Sequence, residues 1–318
     1  MFSGKSQTPW APVSDSDAMA CCTPGLPAAD RLREEVVAPA PLVLDSHPEM
    51  ARIPAGRWLL GEDRAFANPD DGEGPVRQVG LPAFLMDKTA VTNHAFASFV
   101  GATGYITDAE RLGWSFVFMA QAHPQAAIAT DTDASSTPEW WLPIRGACWH
   151  APDGAGSSLH GLRDHPVVHV SWNDAAAFAA FVGKRLPTEV EWEVAARGGL
   201  QRAIYAWGDD LHPGGRHMCN IWQGRFPLRN SADDGYLSTA PARSFPPNGF
   251  GLYNMLGNVW EWTASPWTDE RKHMMVMRGG SYLCHASYCD RYRVAARTCN
   301  HFSATSSHLG FRCGGDIG

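Results

Sequence analysis

Residues 278–297 read RGGSYLCHASYCDRYRVAAR, and this stretch holds the most informative chemistry of the chain. Its Gly-Gly pair allows a sharp turn or a close approach of the backbone to a ligand. Ser281 follows the glycines, and the thiols of Cys284 and Cys289 stand five residues apart. From residue 291 to 297 arginines alternate with apolar side chains, which predicts a β-strand.

The spacing of Cys284 and Cys289 leaves three interpretations open. The two residues can be a buried or disulfide-forming pair. They can also form a redox or copper site, because two soft thiolates suit two-coordinate Cu(I). The third interpretation is structural zinc, which requires four nitrogen or sulfur ligands. The additional zinc ligands would come from residues nearby in the sequence, namely His285, Cys299, His301, His308 and Cys313.

A second group of polar residues precedes the thiols. Asn220 is followed by Asp234 and by the segment 254–262 (NMLGNVWEW), with glycines among them. Carboxylate and amide oxygens beside turns that expose backbone carbonyls are the ligands that calcium requires. The alternative is that Asn220, Asp234 and Asn254 bond their own backbone in Asx turns, which is the commoner role for any one of them.

Three helices are predicted upstream of these sites, because capping residues precede apolar residues at helical spacing. The third combines a threonine cap with a glutamate three residues later, the spacing of a capping box. The helices are predicted from Thr92 to Gly101 or Gly104, from Ser171 to Gly183, and from Thr188 to Gly198. Short strands are predicted in residues 50–61, on either side of Pro54 and Gly56, and in residues 84–87.

The composition favours a globular protein with many loops. With 31 Gly, 23 Pro and only 19% charged residues among 318, the chain does not fit a coiled coil, a helical bundle or a charge-rich disordered protein. A hydrophobic content of 44%, which includes 13 Trp, is enough for a large core. Residues 1–45 are predicted to form a disordered tail in which Cys21 and Cys22 have no assigned role. Residues 46–318 are predicted to form a single domain.

Charge and hydropathy restrict the partners. The net charge is −7 and the pI is near 6.0, so no basic field is present to bind nucleic acid or an anionic membrane. Neither a secretory leader nor a membrane span is signalled, which predicts a cytoplasmic protein. In a reducing compartment, clustered cysteines are more often catalytic or metal-binding than disulfide-bonded.

Several runs together resemble the formylglycine-generating enzymes, also called sulfatase-modifying factors. The Cys-His-x-Ser-Tyr-Cys run at 284–289 marks their copper-dependent aerobic branch. The runs that carry the resemblance are PVVHVSWNDAAAFAAFVGKRLPTEVEWEVAARGG (166–199), NIWQGRFP (220–227), FPPNGFGLYNMLGNVWEW (245–262), RGGSYLCHASYCDRYRVAAR (278–297) and GFRC (310–313).

The resemblance implies an α+β fold with little regular secondary structure, a variant of the C-type lectin-like fold. It also implies an enzyme that oxidises the cysteine of a Cys-x-Pro-x-Arg motif in an unfolded type I sulfatase to Cα-formylglycine, using dioxygen and copper. By the same resemblance, Cys284 and Cys289 would hold Cu(I), and the substrate thiol would join them. Ser281 and Tyr288 would lie beside the copper. Trp260 matches a pocket aromatic, and a plain core tryptophan is the equal alternative.

Two structural calcium sites are implied in the same way. The first would use the side chains of Asn220 and Asp234 with the carbonyls of Ile221 and Tyr236. The second would use the side chains of Asn254 and Glu261 with the carbonyls of Gly257 and Val259. Their expected role is to fix loops that make few backbone hydrogen bonds of their own.

The sequence also departs from the family pattern. Cysteines that form disulfides in some secreted relatives are replaced here by Ala179, Ala196 and Val294, which leaves Cys313 without a partner thiol. The segment 298–308 differs from its family counterpart and brings Cys299, His301 and His308 near the expected peptide groove. The segment 263–277 is short, which would trim the rim of that groove. Arg291, Arg293 and Arg297 are predicted to form structural ion pairs.

Two other functions compete with the oxidase. A non-catalytic binding module of the same superfamily would need no pair of thiols at 284 and 289. An iron-dependent sulfoxide synthase of the ergothioneine type would need an additional helical domain with a histidine-rich iron site. Residues 1–45 are too short for that domain and contain no histidine.

Overall fold

Four helices and many short strands, joined by long loops, make up the computed structural model. It describes residues 23–27, 31, 50–132 and 137–317. The helices are α1 (Asn93–Thr103), α2 (Asp108–Leu112), α3 (Trp172–Phe181) and α4 (Glu189–Arg197). The strands are β1 (Met50–Ile53), β2 (Gly56–Leu60), β3 (Arg77–Leu81), β4 (Phe84–Asp87), β5 (Trp114–Phe118), β6 (Trp141–Arg145), β7 (Gly224–Arg225), β8 (Arg229–Asn230), β9 (Trp260–Pro266), β10 (Met274–Arg278), β11 (Arg297–His301), β12 (Leu309–Phe311) and β13 (Gly314–Asp316).

The three predicted helices are confirmed as α1, α3 and α4. Side chains of Thr92, Ser171 and Thr188 cap their N-termini, and α4 has the predicted capping box with Glu191. Sequence reasoning missed α2, although Thr107 and Glu110 form a capping box there as well. A helix of five residues is too short to show an apolar period, so only its cap was available as a signal.

The strands predicted around Pro54 are confirmed as β1 and β2, and residues 84–87 form β4. The two N-terminal strands do not pair with each other. Strand β4 lies between β1 and β13 in a three-stranded sheet, while β2 pairs with β3. Pairing of β4 with both β1 and β13 joins the two ends of the domain.

The strand predicted for residues 291–297 is wrong. Only Arg297 belongs to a strand, β11, and the preceding residues form turns. Alternation predicts a strand when one set of side chains faces water, but here Arg291 and Arg293 are buried together with the apolar residues. Their burial has a different cause, because they pair with acids from distant parts of the chain.

The predicted structural ion pairs of Arg291, Arg293 and Arg297 are confirmed. Their acidic partners lie on two segments of the chain. Arg291 bonds Asp71, with Nε to Oδ2 at 2.5 Å. Arg293 bonds Glu73 with two parallel hydrogen bonds. Arg297 bonds Glu189 at the start of α4. The pairs fix the loop between residues 289 and 297 against the rest of the domain.

The sheet that positions the thiols has the strand order β11-β10-β9-β12. Strand β10 is antiparallel to β9 and β11, and β12 is parallel to β9. The large side chains of Trp192, Trp260 and Trp262 are fully buried around this sheet. The loop that follows β10 carries both thiols of the predicted site.

Most of the predicted tail, residues 1–45, lies outside the described residues. Within it the structure describes Arg31 and residues 23–27, and the latter are packed rather than disordered, since Thr23 and Leu26 are 1% and 3% exposed. Among the described residues, no helix is long and apolar enough to cross a membrane.

Candidate active site

A sharp turn follows β10 and begins the candidate site. The buried Arg278 side chain donates to Glu193 Oε2 at 2.6 Å and to the Val294 carbonyl at 3.0 Å. Gly279 and Gly280 both have positive φ, at 97° and 74°. A Cβ atom on either glycine would lie 2.9 Å from a backbone oxygen, so only glycine fits at these positions.

This turn brings Cys284 and Cys289 together. Their Sγ atoms lie 3.4 Å apart, and the residues are only 3% and 4% exposed. The Ser281 amide donates to Cys284 Sγ at 3.3 Å, and the Cys289 amide donates to the His285 carbonyl at 2.8 Å. The sequence therefore places two free thiols side by side through short, local hydrogen bonds.

Burial raises the pKa of Cys284 well above its ordinary value, and the hydrogen bond with Cys289 raises it further. The amide of Ser281 acts in the opposite direction, because it stabilises the thiolate. The protein alone thus keeps the Cys284 thiol protonated at neutral pH. A cation bound between the two sulfur atoms would favour deprotonation.

A small pocket opens onto the thiols, and its walls are largely aromatic. Tyr288 stacks on Phe226, with ring centroids 4.6 Å apart, and meets the edge of Trp140 at 5.1 Å. The lining residues are Trp140, Trp141, Phe226, Ser281, Leu283, Cys284, Tyr288 and Cys289. Ser281, Tyr288 and the two cysteines, all predicted site residues, therefore share one pocket.

Trp260 lies close to the thiols in the core but does not line their pocket. It is fully buried in the cluster that also contains Cys284 and Cys289. The aromatic side chains that do line the pocket are Trp140, Trp141 and Phe226, which sequence reasoning missed. Phe226 was within the NIWQGRFP run, but Trp140 and Trp141 lie about 140 residues before the thiols and carry no motif.

The observed geometry agrees with the first interpretation of the thiol pair in so far as both cysteines are buried. Their sulfur separation of 3.4 Å exceeds the ~2.05 Å of a disulfide bond, so the two thiols are not joined by one. Within the described residues, no group of three or more His, Cys, Asp or Glu side chains is arranged to hold a metal ion. Two soft sulfur donors fit Cu(I), and structural zinc would need two further ligands.

In the first predicted calcium group, Gln223 Nε2 donates to two of the predicted ligands, the Ile221 carbonyl and Asp234 Oδ2. Asp234 accepts hydrogen bonds from the amides of Ile221 and Tyr236, at 3.1 and 3.0 Å. Burial raises the pKa of Asp234. Asn220 donates from Nδ2 to the Ser238 carbonyl, but its buried Oδ1 has no hydrogen-bond partner among the described residues. A buried acceptor without a partner fits a bound cation, whereas the bond from the Tyr236 amide to Asp234 forms the Asx turn of the alternative interpretation.

The second predicted group adjoins the first, because a Cβ on Gly257 would lie 2.3 Å from the Asn220 carbonyl. Asn254 has a positive φ of 48°, and its buried Oδ1 also has no partner among the described residues. The carboxylate of Glu261, predicted as a calcium ligand, already has hydrogen-bond donors on the protein. It accepts from Arg312 Nε and Trp192 Nε1, both at 2.7 Å.

Comparison with known proteins identifies the family. The model of the sulfatase-modifying factor enzyme 1-like domain matches residues 35–317. The chain belongs to the sulfatase-modifying factor enzyme 1-like family. This match confirms the resemblance seen in the sequence.

Individual relatives agree with the family match. A formylglycine-generating enzyme of Thermomonospora curvata is 53% identical over 284 residues, covering 84% of this chain and 93% of the relative. A Mus musculus protein named inactive C-alpha-formylglycine-generating enzyme 2 is 44% identical over 276 residues, covering 85% and 87%. The solved structure of PvdO from Pseudomonas aeruginosa has a TM-score of 0.61 at 24% identity, covering 84% and 94%. The family fold, mixed α+β with modest helix and strand content, is thereby confirmed.

The residues at which the sequence departs from the family pattern lie in the core and beside the thiol pocket. Cys313 is a free, fully buried thiol in the core cluster that also contains Ala179, Ala196 and Val294. His308 stacks on Trp141 of the pocket wall with ring centroids 4.6 Å apart. In this member of the family, the segment 298–308 therefore contacts the pocket through His308. Cys299 and His301 are buried on β11.

Proposed function

We propose that this protein converts the cysteine of a Cys-x-Pro-x-Arg motif in an unfolded sulfatase to Cα-formylglycine, with Cu(I) and O2. The observation that carries the proposal is the buried pair of thiols, Cys284 and Cys289, at 3.4 Å in an aromatic pocket. The pair occurs in a chain that is 53% identical to a formylglycine-generating enzyme.

The reaction needs an oxidant and a reductant as well as the substrate. The substrate Cβ–S bond is replaced by a Cβ=O bond, the sulfur leaves as hydrogen sulfide, and the substrate loses two electrons. Reduction of O2 to water takes four electrons, so an external thiol reductant supplies the other two with two protons. Bound Cu(I) would supply the binding and one-electron reduction of O2 that thiols alone do not provide.

The residues of the pocket have separate roles in this proposal. Cys284 and Cys289 hold the metal, and the Ser281 amide stabilises the thiolate of Cys284. Trp140, Phe226 and Leu283 exclude bulk water, which limits oxidation of the enzyme's own sulfur atoms to sulfenic and sulfinic acids. The Tyr288 and Ser281 hydroxyls would orient oxygen or water.

Calcium has a structural role in the proposal. The partnerless oxygens of Asn220 and Asn254 support two cation sites beside the loop 254–259. The second site would rest on Asn254 with the carbonyls of Gly257 and Val259, because Arg312 and Trp192 donate to both carboxylate oxygens of Glu261. The proposed compartment is the cytoplasm, which is consistent with the absence of disulfide bonds among the six cysteines of the described residues.

A non-catalytic binding module is the second candidate, and the inactive relative of Mus musculus gives it weight. A binding module has no use for two thiols that share a buried pocket. The sulfoxide synthase alternative has no support from the comparisons, which match the single family domain at residues 35–317.

The decisive experiment uses the full chain loaded with Cu(I), a Cys-x-Pro-x-Arg peptide, air and a thiol reductant. An aldehyde that reacts with a hydrazide probe is expected from the wild type and from Cys148→Ser, in which the replaced thiol is buried away from the pocket. Cys284→Ser is expected to form none. Copper-replete wild type that forms no aldehyde, or full activity in Cys284→Ser, would refute the catalytic proposal.

A further inference from the structure

The chain contains a near match to the substrate motif of its own proposed reaction. Residues 22–26 read Cys-Thr-Pro-Gly-Leu. They match Cys-x-Pro-x-Arg at the cysteine and the proline, and Leu26 stands where the substrate has arginine. The motif lies in a part of the chain to which the proposed chemistry assigns no role.

The described residues of this segment are buried against the domain. Thr23 is 1% exposed and Leu26 is 3% exposed, although no regular strand or helix holds them. Leu26 belongs to an aromatic cluster that also contains Trp141, Leu283 and Phe226. Those three side chains line the thiol pocket. The segment and the pocket therefore share one packed cluster.

The buried side chain of Asn300 holds the segment by its backbone. Asn300 on β11 is 3% exposed, and its Nδ2 donates to the Pro24 carbonyl at 2.9 Å and to Thr23 Oγ1 at 3.4 Å. The Asn300 Oδ1 is oriented by the His301 amide at 2.8 Å. A hydrogen bond to a proline carbonyl does not depend on the surrounding side chains, so a substrate with the same Cys-x-Pro spacing would accept it equally well.

We propose that residues 23–26, which follow Cys22 in the sequence, are an intramolecular substrate mimic packed where the x-Pro-x part of the substrate binds. Asn300 is then the positioning residue that donates to the substrate's proline carbonyl. This inference rests on the proposed function, since it takes the substrate motif from it. Leu26 lacks the guanidinium of the substrate arginine, so the mimic is bound by apolar packing and yields to a true substrate.

The tether makes this competition effective. A segment joined to its site by a short linker acts at millimolar effective concentration, which weakens the apparent affinity of any peptide for the same groove. A segment that only stabilises the fold would not compete with a peptide. Peptide affinity therefore separates the two roles.

The test measures binding of a fluorescent peptide with the sequence Ser-x-Pro-x-Arg, whose serine prevents reaction, to the full chain without copper. Leu26→Asp introduces a charge into the buried cluster and releases the segment. The matched control is Leu237→Asp at a side chain that is 66% exposed. We expect Leu26→Asp to lower the peptide Kd roughly tenfold, because the tethered competitor is removed, and Leu237→Asp to leave it unchanged. Adding Asn300→Ala to Leu26→Asp should raise the Kd again.

A second measurement uses wild-type protein only, so it does not depend on the folding of any variant. A synthetic peptide of residues 17–31 with Cys21 and Cys22 changed to serine should displace the fluorescent peptide from wild-type protein. Failure of this displacement, or equal Kd values in all proteins while wild type forms aldehyde, overturns the mimic and leaves the proposed function intact. If wild type forms no aldehyde but the Kd shifts as expected, the mimic stands and the catalytic proposal fails. Absence of peptide binding by every protein overturns the mimic, and the aldehyde assay alone then decides the catalytic proposal.

Discussion

Arg293 and Glu73, 220 residues apart in the chain, form a buried ion pair with Nη1–Oε2 and Nη2–Oε1 distances of 2.6 and 2.7 Å. Both side chains are at most 5% exposed. The pair joins the loop beside the thiols to the segment that follows β2. A loop with few backbone hydrogen bonds is thus held by a parallel pair of charge-assisted bonds.

The first prediction concerns this pair. Arg293→Met should lower the free energy of unfolding by about 3–5 kcal/mol, because it leaves the Glu73 carboxylate buried without its partner. The double variant Arg293→Met/Glu73→Gln should recover much of the loss, since no charge remains buried. Urea unfolding followed by tryptophan fluorescence measures both.

The matched control is the exposed pair of Arg202 and Asp63, whose side chains are 41% and 50% exposed. Arg202→Met should cost less than about 1 kcal/mol, because water screens such pairs. A double variant as unstable as Arg293→Met would show that the cost comes from lost packing rather than from the unpaired charge.

The second prediction concerns Cu(I) binding. Wild type should bind Cu(I) with one ion per pair of pocket thiols, and either Cys284→Ser or Cys289→Ser should abolish that binding in competition with a chromophoric Cu(I) chelator. Cys148→Ser should bind as wild type does. Equal binding by all four proteins would place copper elsewhere.

The affinity for Cu(I) should also rise with pH. Burial raises the pKa of Cys284 well above its ordinary value, so the folded protein holds a proton that Cu(I) must displace. Below that pKa, each increase in pH makes displacement easier. An affinity that is constant between pH 6 and 9 would contradict a site built from protonated thiols.

The third prediction concerns calcium. Removal of calcium with a strong chelator should lower the Tm by several degrees, because a ligand at about one hundred times its Kd contributes roughly 2.7 kcal/mol. Asp234→Asn and Asn254→Ala should each reduce the shift. Calcium should restore the Tm and magnesium should not, since magnesium demands a smaller octahedral site. An unchanged Tm together with no calcium by elemental analysis would rule out the sites.

The sequence predicted the parts of the molecule that depend on local interactions. Caps at Thr92, Ser171 and Thr188 located three helices, because capping and apolar spacing act within a single turn. The Gly279-Gly280 turn and the nearby thiols were also predicted from neighbouring residues. Helix α2 was missed although its capping box is present in the sequence, because a helix of five residues is too short to show an apolar period.

The parts that were missed depend on contacts between distant segments. The strand predicted for 291–297 failed because Asp71 and Glu73 draw the arginines inward, and nothing near them in the sequence signals those partners. Trp140 and Trp141 reach the thiol pocket only through the tertiary fold. Burial of Thr23 and Leu26 was missed for the same reason, since neither apolar spacing nor a cap marks that segment.

The last prediction concerns His169, a fully buried side chain with a positive φ of 59°. Its Nε2–H donates to the Pro152 carbonyl at 2.8 Å, and its Nδ1 accepts from the Ser115 hydroxyl at 2.8 Å. This tautomer is neutral, and protonation of Nδ1 would break the bond from Ser115. Burial lowers the pKa of His169 from 6.5 to about 4, and the bond to Pro152 only partly opposes the shift.

The lowered pKa of His169 fixes the sign of the pH dependence. Between pH 6.5 and about 4 the unfolded chain takes up a proton that the folded chain refuses, so the free energy of unfolding falls as the pH falls. The stabilisation is complete above pH 6.5, and His169 contributes a slope of up to about 1.4 kcal/mol per pH unit below it. His169→Asn cannot titrate and tolerates the left-handed backbone, so it should be less stable at pH 7.5 but lose less stability on acidification. Urea unfolding at pH 7.5, 6 and 5 measures the difference, with the exposed His160→Asn as control. Equal slopes in wild type and His169→Asn would show that other groups carry the acid sensitivity.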